Sequence, residues 1–301
     1  MNSRVNKVIL PVAGLGTRLL PATKSIPKEI MTLVDRPVIQ YIVDEAKAAG
    51  IEQFICVTSH GKSALENYFD RSHRLEMALR SPGKEELLEQ LLGMQLPSGS
   101  IAYVRQETPL GLGHAIHCAH KLVGDEPIAV MLPDDVFISK TPVLRQMTDA
   151  HAELGGTMVA VAEVPRSESS NYGMVETRGR NGRIVPVSSM VEKPAPEDAP
   201  SNLAVVGRYI LTPRIMRILG KVGPGVGGEI QLTDAIALEA ARKHAVNGFL
   251  FEGLRFDCGS KLGFLEATMA LALRRPEFNA GLRARMQALL SDPEFGGKSV
   301  S

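Results

Sequence analysis

Hydrophobic positions along the chain fall into short runs separated by polar, glycine- and proline-bearing stretches. Val8 to Val12, Phe54 to Thr58, Ile101 to Arg105, Ile128 to Leu132, Thr157 to Val164, Leu203 to Ile210 and Ala245 to Phe251 are compact apolar runs. Bounded by turn residues, such runs read as buried strands. Between them the period becomes helical. Val38, Ile42, Val43 and Ala46 share one face of a segment opened by Asp35-Arg36-Pro37 and closed by Gly50. Residues 63–92 read as mostly helical, with a break at Ser81-Pro82-Gly83 and a solvated acidic face at Glu85, Glu86 and Glu89. Helices are also expected over Thr141 to Leu154, over Pro213 to Leu219, from Glu229 onward and over Lys261 to about Leu273. Strands alternating with helices predict an α/β fold on a mostly parallel sheet. One region departs from this: Asn171 to Val175 and Ile184 to Val191 flank Asn181-Gly182, a hairpin signal. A small antiparallel insertion, over about residues 165–210, is therefore expected on the parallel core. Beyond Pro276 one amphipathic helix and a Gly-Lys-Ser tail are expected.

The first strand leads into the most distinctive stretch, AGLGTRLLPATKSIPKE. Gly14 and Gly16 allow a sharp turn and a close backbone approach. Arg18, Lys24 and Lys28 follow, in a loop stiffened by Pro21 and Pro27. Free backbone N–H groups and three cations suit a polyphosphate, although a glycine turn with solvated charges has the same local pattern. Two familiar phosphate loops are excluded. No Gly-Lys-Ser/Thr run of the Walker type follows the strand. A dinucleotide fingerprint would need a third glycine where Leu19 stands, and Pro21 lies where its helix should be running.

Composition narrows the function classes. The chain has 301 residues, 44% of them apolar, with a formal net charge of +1. That balance argues against a nucleic-acid binder, so an anion site has to be a local cluster. No run reaches the ~18 apolar residues of a membrane span, and no secretory signal pattern is present. Cys56, Cys118 and Cys258 are too few and too scattered for a disulfide framework or a cysteine-rich metal site. They read as small buried groups in a reducing cytoplasm.

Two further sites carry candidate chemistry. Pro133-Asp134-Asp135 follows the fourth strand, at the carboxyl edge where α/β proteins bind ligands. Adjacent acids there could form a turn or supply oxygen to Mg²⁺. Leu110 to Ala115 is a second glycine-rich turn entering a helix, weak evidence when taken alone.

The first loop resembles the signature of the sugar-1-phosphate nucleotidyltransferases, or sugar-nucleotide pyrophosphorylases, and most closely the bacterial branch that uses UTP and glucose 1-phosphate. Tyr172-Gly173, Val191-Glu192-Lys193-Pro194, Glu229 to Ile236 (EIQLTDAI) and Phe256-Asp257 extend the resemblance in the family's order. It covers nearly the whole chain up to Arg275. It departs at Gly228, where relatives often carry an acid. The resemblance implies a Rossmann-like α/β/α nucleotidyltransferase fold, with a catalytic domain over 1–275 and a helix and tail over 276–301. It implies nucleotide contacts from Ala13, Gly14, Gly16, Thr17, Arg18, Lys28 and Glu29, and base contacts from Gln106 and Gly111. It places Gly173, Glu192 and Lys193 on the sugar phosphate, and Mg²⁺ on Asp134 and Asp257. In isolation Glu192-Lys193-Pro194 would read as a surface turn and Asp257 as a helix cap.

The implied reaction is an in-line attack by glucose 1-phosphate on the α-phosphate of UTP, catalysed by Arg18, Lys28, Asp134 and Lys193 and releasing pyrophosphate. A thymidylyl or other sugar-1-phosphate enzyme, or a silent regulatory protein on the same fold, is the alternative. A homo-oligomer, dimer or tetramer, is expected, in the cytoplasm and without nucleic-acid or membrane partners.

Overall fold

A computed structural model describes residues 4–295 of the chain. The strands, in chain order, are β1 (Lys7–Pro11), β2 (Thr32–Leu33), β3 (Arg36–Pro37), β4 (Gln53–Thr58), β5 (Ile101–Arg105), β6 (Ile128–Met131), β7 (Asp135–Ile138), β8 (Thr157–Glu163), β9 (Gly173–Thr177), β10 (Ile184–Glu192), β11 (Leu203–Leu211), β12 (Val246–Leu250) and β13 (Leu254–Asp257). Nine of them form one sheet in the order β5-β4-β1-β6-β11-β8-β12-β10-β9. Strands β5, β4, β1 and β6 run parallel, as do β8 and β12. The chain then alternates direction: β11 lies antiparallel between β6 and β8, and β10 antiparallel between β12 and β9.

The sheet is mixed, as expected, and its antiparallel part reaches further in than the sequence pattern indicates. Strand β11 is buried at all nine positions, so it reads in sequence like any parallel core strand, and nothing in its residues marks its direction. The hairpin is where Asn181-Gly182 placed it: Asn181 bridges Ile184, and Gly182 has φ +59°.

Alternation along β1 shows the layering. Val8 and Leu10 pack on one face with Ile39, Ile42 and Val43 of the helix Val38–Ala48 and Leu144 and Met147 of the helix Val143–Leu154. Ile9 faces the other side with Ile116, Ile215, Leu219 and Ile236 from the helices Leu112–Cys118, Pro213–Leu219 and Leu232–Ala241. Two apolar cores on opposite faces of one sheet make an α/β/α sandwich.

A buried arginine fixes the carboxyl edge from behind. Arg208 on β11 is fully buried. It donates to both oxygens of Glu45, at 3.1 and 2.7 Å, and to the carbonyls of Leu132, Gly207 and Asp135. The guanidinium also lies over the Phe137 ring, 4.5 Å from its centroid. Five donors thus find five acceptors on three elements, which a point-charge lysine could not reproduce. The result is a rigid base under the loop that carries Asp134.

Candidate active site

Strands β1, β4, β5 and β6 end at one edge, so the loops after them converge. The loop after β1 is wound into three single 3₁₀ turns, Thr17–Leu19, Ala22–Lys24 and Lys28–Ile30. Gly16 enters it at φ +68°, and the Thr23 hydroxyl donates to the Gly16 carbonyl at 2.8 Å. The Ser59 hydroxyl, beyond β4, donates to the Ala13 carbonyl at 3.0 Å. Together these bonds pin the glycine turn at both ends.

Two cavities open along this edge. One of about 440 Å³ is lined by Ala13, Leu15, Ser59, Arg105, Gln106 and Pro109, among others. The amide nitrogen of Gln106, nearly buried, donates to the Gly111 carbonyl at 3.1 Å and to His114 Nδ1 at 3.0 Å. Gly111 has φ +95°, and a Cβ on it would lie 2.6 Å from the Glu229 Cβ. Here the second glycine turn meets the segment from Glu229 to Gln231. Gly113 N–H donates to Ile230 O and Ile230 N–H to Leu110 O, both at 2.8 Å.

The other cavity, about 400 Å³, includes Arg18, Asp134, Gly173, Glu192, Lys193 and Asp257 in its lining. Widely separated candidates are therefore brought together. Register does part of this: Glu192 pairs with Gly173 across β10 and β9. The Glu192 carboxylate accepts from the Thr233 hydroxyl at 2.9 Å. Gly173 is needed there, since a Cβ would come within 2.6 Å of the Thr233 methyl. Lys193 follows at φ +47°, its N–H held by Tyr172 O at 2.9 Å, and its half-exposed side chain lines the cavity.

The charged centre is compact. Lys28 Nζ donates to Asp134 Oδ2 at 2.6 Å. Arg18 spans both acids, 3.7 Å from Asp134 and 3.8 Å from Asp257. Burial works against the Lys28 ammonium, but the Asp134 and Glu29 charges and the hydrogen bond to Asp134 together raise its pKa above the ordinary lysine value. Burial likewise opposes the Asp134 carboxylate, and the Lys28 charge and hydrogen bond, with a backbone hydrogen bond and Arg18, together hold that carboxyl below its usual range.

Two residues sit differently from the roles considered for them. Glu29 does not face either large cavity: it is 1% exposed and pairs with Lys62 Nζ at 2.8 Å under the loop. The 3₁₀ turn Lys28–Ile30 puts Lys28 towards Asp134 and Glu29 inward, so the Glu29 side chain props the loop from beneath. Burial raises the Glu29 pKa. Asp135, open in sequence as a second ligand, is spent on structure. It accepts from Gly207 N–H at 2.9 Å and Arg255 Nε at 2.6 Å. Burial pushes its pKa up.

The sequence analysis named Tyr172 and Thr233 only within motifs and missed Arg255 as part of the wall. Arg255 could have been found: it stands two before Asp257, and a strand puts such residues on one face. Its guanidinium joins Asp135 to the Tyr172 hydroxyl. Gly259 lies where a Cβ would be 2.8 Å from Asp134 Oδ2 and 2.9 Å from Asp257 Oδ1.

These carboxylates fit a hard divalent cation. The cavity lining holds five acids (Asp134, Asp135, Glu192, Glu229, Asp257) against three cations (Arg18, Lys193, Arg255). Among the described residues no cluster of three or more His, Cys, Asp or Glu is arranged to hold a metal unaided. Two carboxylates with substrate oxygens completing the shell is the arrangement Mg²⁺ commonly takes.

A profile of nucleotidyl transferases matches residues 7–273. The chain belongs to the nucleotidyl transferase family. It is 46% identical, over 96% of its own length and 97% of the relative's, to a UTP–glucose-1-phosphate uridylyltransferase of Bacillus subtilis (strain 168). Among solved structures, a UDP-glucose pyrophosphorylase complexed with UDP-glucose aligns at TM-score 0.82 and 44% identity, over 90% of this chain and all of that one. A UTP-bound UDP-glucose pyrophosphorylase from Acinetobacter baumannii aligns at TM-score 0.86 and 42% identity, over 95% of this chain and 99% of its own.

Proposed function

We propose that this nucleotidyl transferase makes UDP-glucose and pyrophosphate from UTP and α-D-glucose 1-phosphate. The observation that carries the mechanism is the convergence of Arg18, Lys193, Asp134 and Asp257 on one cavity, with Lys28 bonded to Asp134 behind them. The substrate identity rests on the uridylyltransferases that match at 46% identity over nearly their full length.

In this reading UTP lies with its base against Gln106 and Gly111 and its triphosphate along Ala13, Gly14, Gly16, Thr17 and Arg18. Glucose 1-phosphate lies in the other cavity, its hydroxyls donating to Glu192 and its phosphate on Lys193. A phosphate oxygen attacks the α-phosphorus and the bond to pyrophosphate breaks. The nucleophile is already an anion, so no side chain has to remove a proton. Arg18 and Lys28 steady the charge that builds on the triphosphate, and Lys193 keeps the attacking group in line. Asp134 and Asp257 would hold Mg²⁺, which would supply positive charge to the triphosphate. Pinning of the loop by Thr23 and Ser59 means that little has to reorganise as charge develops.

The reading extends to a cytoplasmic homo-oligomer. The three thiols are free, which suits a reducing compartment. Leu262, Leu265 and Met269 are exposed along one face of the helix Lys261–Leu273, as a subunit contact would need. No helix among the described residues is long and apolar enough to cross a membrane.

The kinetic test separates the two substrates. Lys193→Ala should raise KM for glucose 1-phosphate and lower kcat, leaving KM for UTP near its starting value. Arg18→Ala should act on the UTP side. Each lost donor is worth roughly 3–4 kcal/mol, or about 10²–10³ in kcat/KM. Folded variants that each lose less than about fivefold would overturn the assignment.

A further inference from the structure

On the face away from the substrate loops lies a third cavity, about 600 Å³, between the ends of the helices Pro213–Leu219 and Leu232–Ala241. Its wall carries Arg214, Arg217, Lys221, Arg242 and His244 over a floor of Ile218, Val222 and Leu238. No acid lines it. Four permanent cations gather here in a chain whose formal net charge is only +1.

The nearby acids do not use up this charge. Glu239, fully buried, accepts from the Thr157 and Thr212 hydroxyls and from Arg214 Nε at 3.4 Å, so it takes up part of the Arg214 charge. Asp125 pairs with Arg217 at 3.2 Å, but both side chains are largely in water, where such a pair contributes little. The side chains of Lys221, Arg242 and His244 make no ion pair among the described residues. Cations at helix carboxyl ends do complement the helix dipoles. That role needs neither a concave wall nor an apolar floor.

We propose that this cavity is a second, non-catalytic site for an organic phosphate, such as a nucleoside or sugar phosphate. The guanidinium groups would take the phosphate oxygens, and Ile218, Val222 and Leu238 would pack against the organic part. The volume is that of a small-molecule site, and far more than a bare phosphate ion fills. The helix Leu232–Ala241 connects the two regions: Leu232 and Thr233 line the substrate cavity, and Leu238 lines this one. Occupancy here is therefore placed to be felt at the Thr233–Glu192 bond.

Isothermal titration with ADP, with glucose 6-phosphate and with inorganic phosphate, at one ionic strength, tests this. At least one organic probe should bind one molecule per chain and keep its affinity in Arg18→Ala/Lys193→Ala. Arg217→Ala/Arg242→Ala should weaken that binding by about tenfold or more, with an unchanged melting temperature because both side chains are exposed. Lys221→Ala provides a milder second variant, expected to lose about fivefold. Transfer activity of Arg217→Ala/Arg242→Ala without added probe should match the wild type, so failure here and failure of the proposed reaction are separable. The proposal is overturned if neither organic probe binds, if binding follows Arg18 and Lys193 and ignores Arg217 and Arg242, or if inorganic phosphate binds as tightly as both organic probes.

Discussion

Replacing Gly259 by alanine probes the charged centre with a single methyl group. The backbone tolerates the change, since Gly259 is not among the glycines of positive φ. Space does not: the new Cβ would lie 2.8 Å from Asp134 Oδ2, 2.8 Å from Arg18 Nη2 and 2.9 Å from Asp257 Oδ1. Each of these atoms has to retreat by a few tenths of an ångström. Arg18 is 65% exposed and can swing away. Asp134 is held by Lys28 at 2.6 Å, and Asp257 Oδ1 by Gly259 N–H at 2.9 Å. The carboxylates therefore spread about the methyl, which would loosen any joint hold they have on a divalent cation.

A displaced ligand frame of this kind should raise the Mg²⁺ needed for half-maximal rate about 10–100-fold. The rate at fixed Mg²⁺ should fall by about 10²–10³. Folding should lose only about 1 kcal/mol, the low end for overpacking, because the atoms that move are side-chain ends. The assay is initial pyrophosphate release across a Mg²⁺ titration, with a thermal melt of the same samples. A folded Gly259→Ala enzyme with the wild-type Mg²⁺ dependence would refute a cation shared by Asp134 and Asp257.

Other expectations test separate parts of the structure. A Cβ on Gly14 meets nothing within 4 Å, so Gly14→Ala should fold at least as stably as the wild type while UTP binding weakens; unchanged KM for UTP would remove Gly14 from the nucleotide path. Lys62→Met leaves the Glu29 charge buried without its cation, which should cost about 3–5 kcal/mol in denaturant unfolding. Glu29→Gln/Lys62→Met should recover much of that loss, and a double variant as unstable as the single would show that the pair is not the cause. Burial lowers the pKa of both His117 and His151 below the ordinary value of 6.5. The unfolded chain then binds these protons more readily, so stability is full above about pH 6.5 and declines as pH falls from there through the lowered folded values. Melting temperatures at constant ionic strength should show this slope, and His117→Gln/His151→Gln should flatten it; a wild-type profile already flat from pH 7.5 to 5.5 would contradict the assignment.

The substrate loop was legible in sequence because its chemistry is local. Glycines, prolines and cations from Gly14 to Lys28 stand next to one another, and the strand before them is a plain apolar run. Direction and distance were not legible. β11 looks like its parallel neighbours because burial on both faces erases alternation, and only the paired register shows that it runs the other way. The short ribbon of β7 and β13, which sets Asp257 opposite Asp135, is four residues a side with an exposed Leu254 and no hairpin turn between its strands. Asp134 and Asp135 are chemically identical in the sequence. What separates them is which neighbour reaches each: Lys28 for Asp134, Arg255 and Gly207 for Asp135. The pairing of Glu29 with Lys62 was not legible for a similar reason, since Lys62 lies in another loop and shares no motif with it.

The most direct measurement is pyrophosphate release from purified protein with Mg²⁺ and glucose 1-phosphate, run in parallel with UTP, dTTP, ATP, CTP and GTP. Rapid release with UTP, abolished by EDTA and matched by the appearance of UDP-glucose, is the expected result. Release with dTTP in preference to UTP would keep the in-line chemistry and contradict the substrate. No release with any nucleotide, from protein shown to be folded, would contradict the catalytic reading of the Arg18, Lys28 and Asp134 centre altogether.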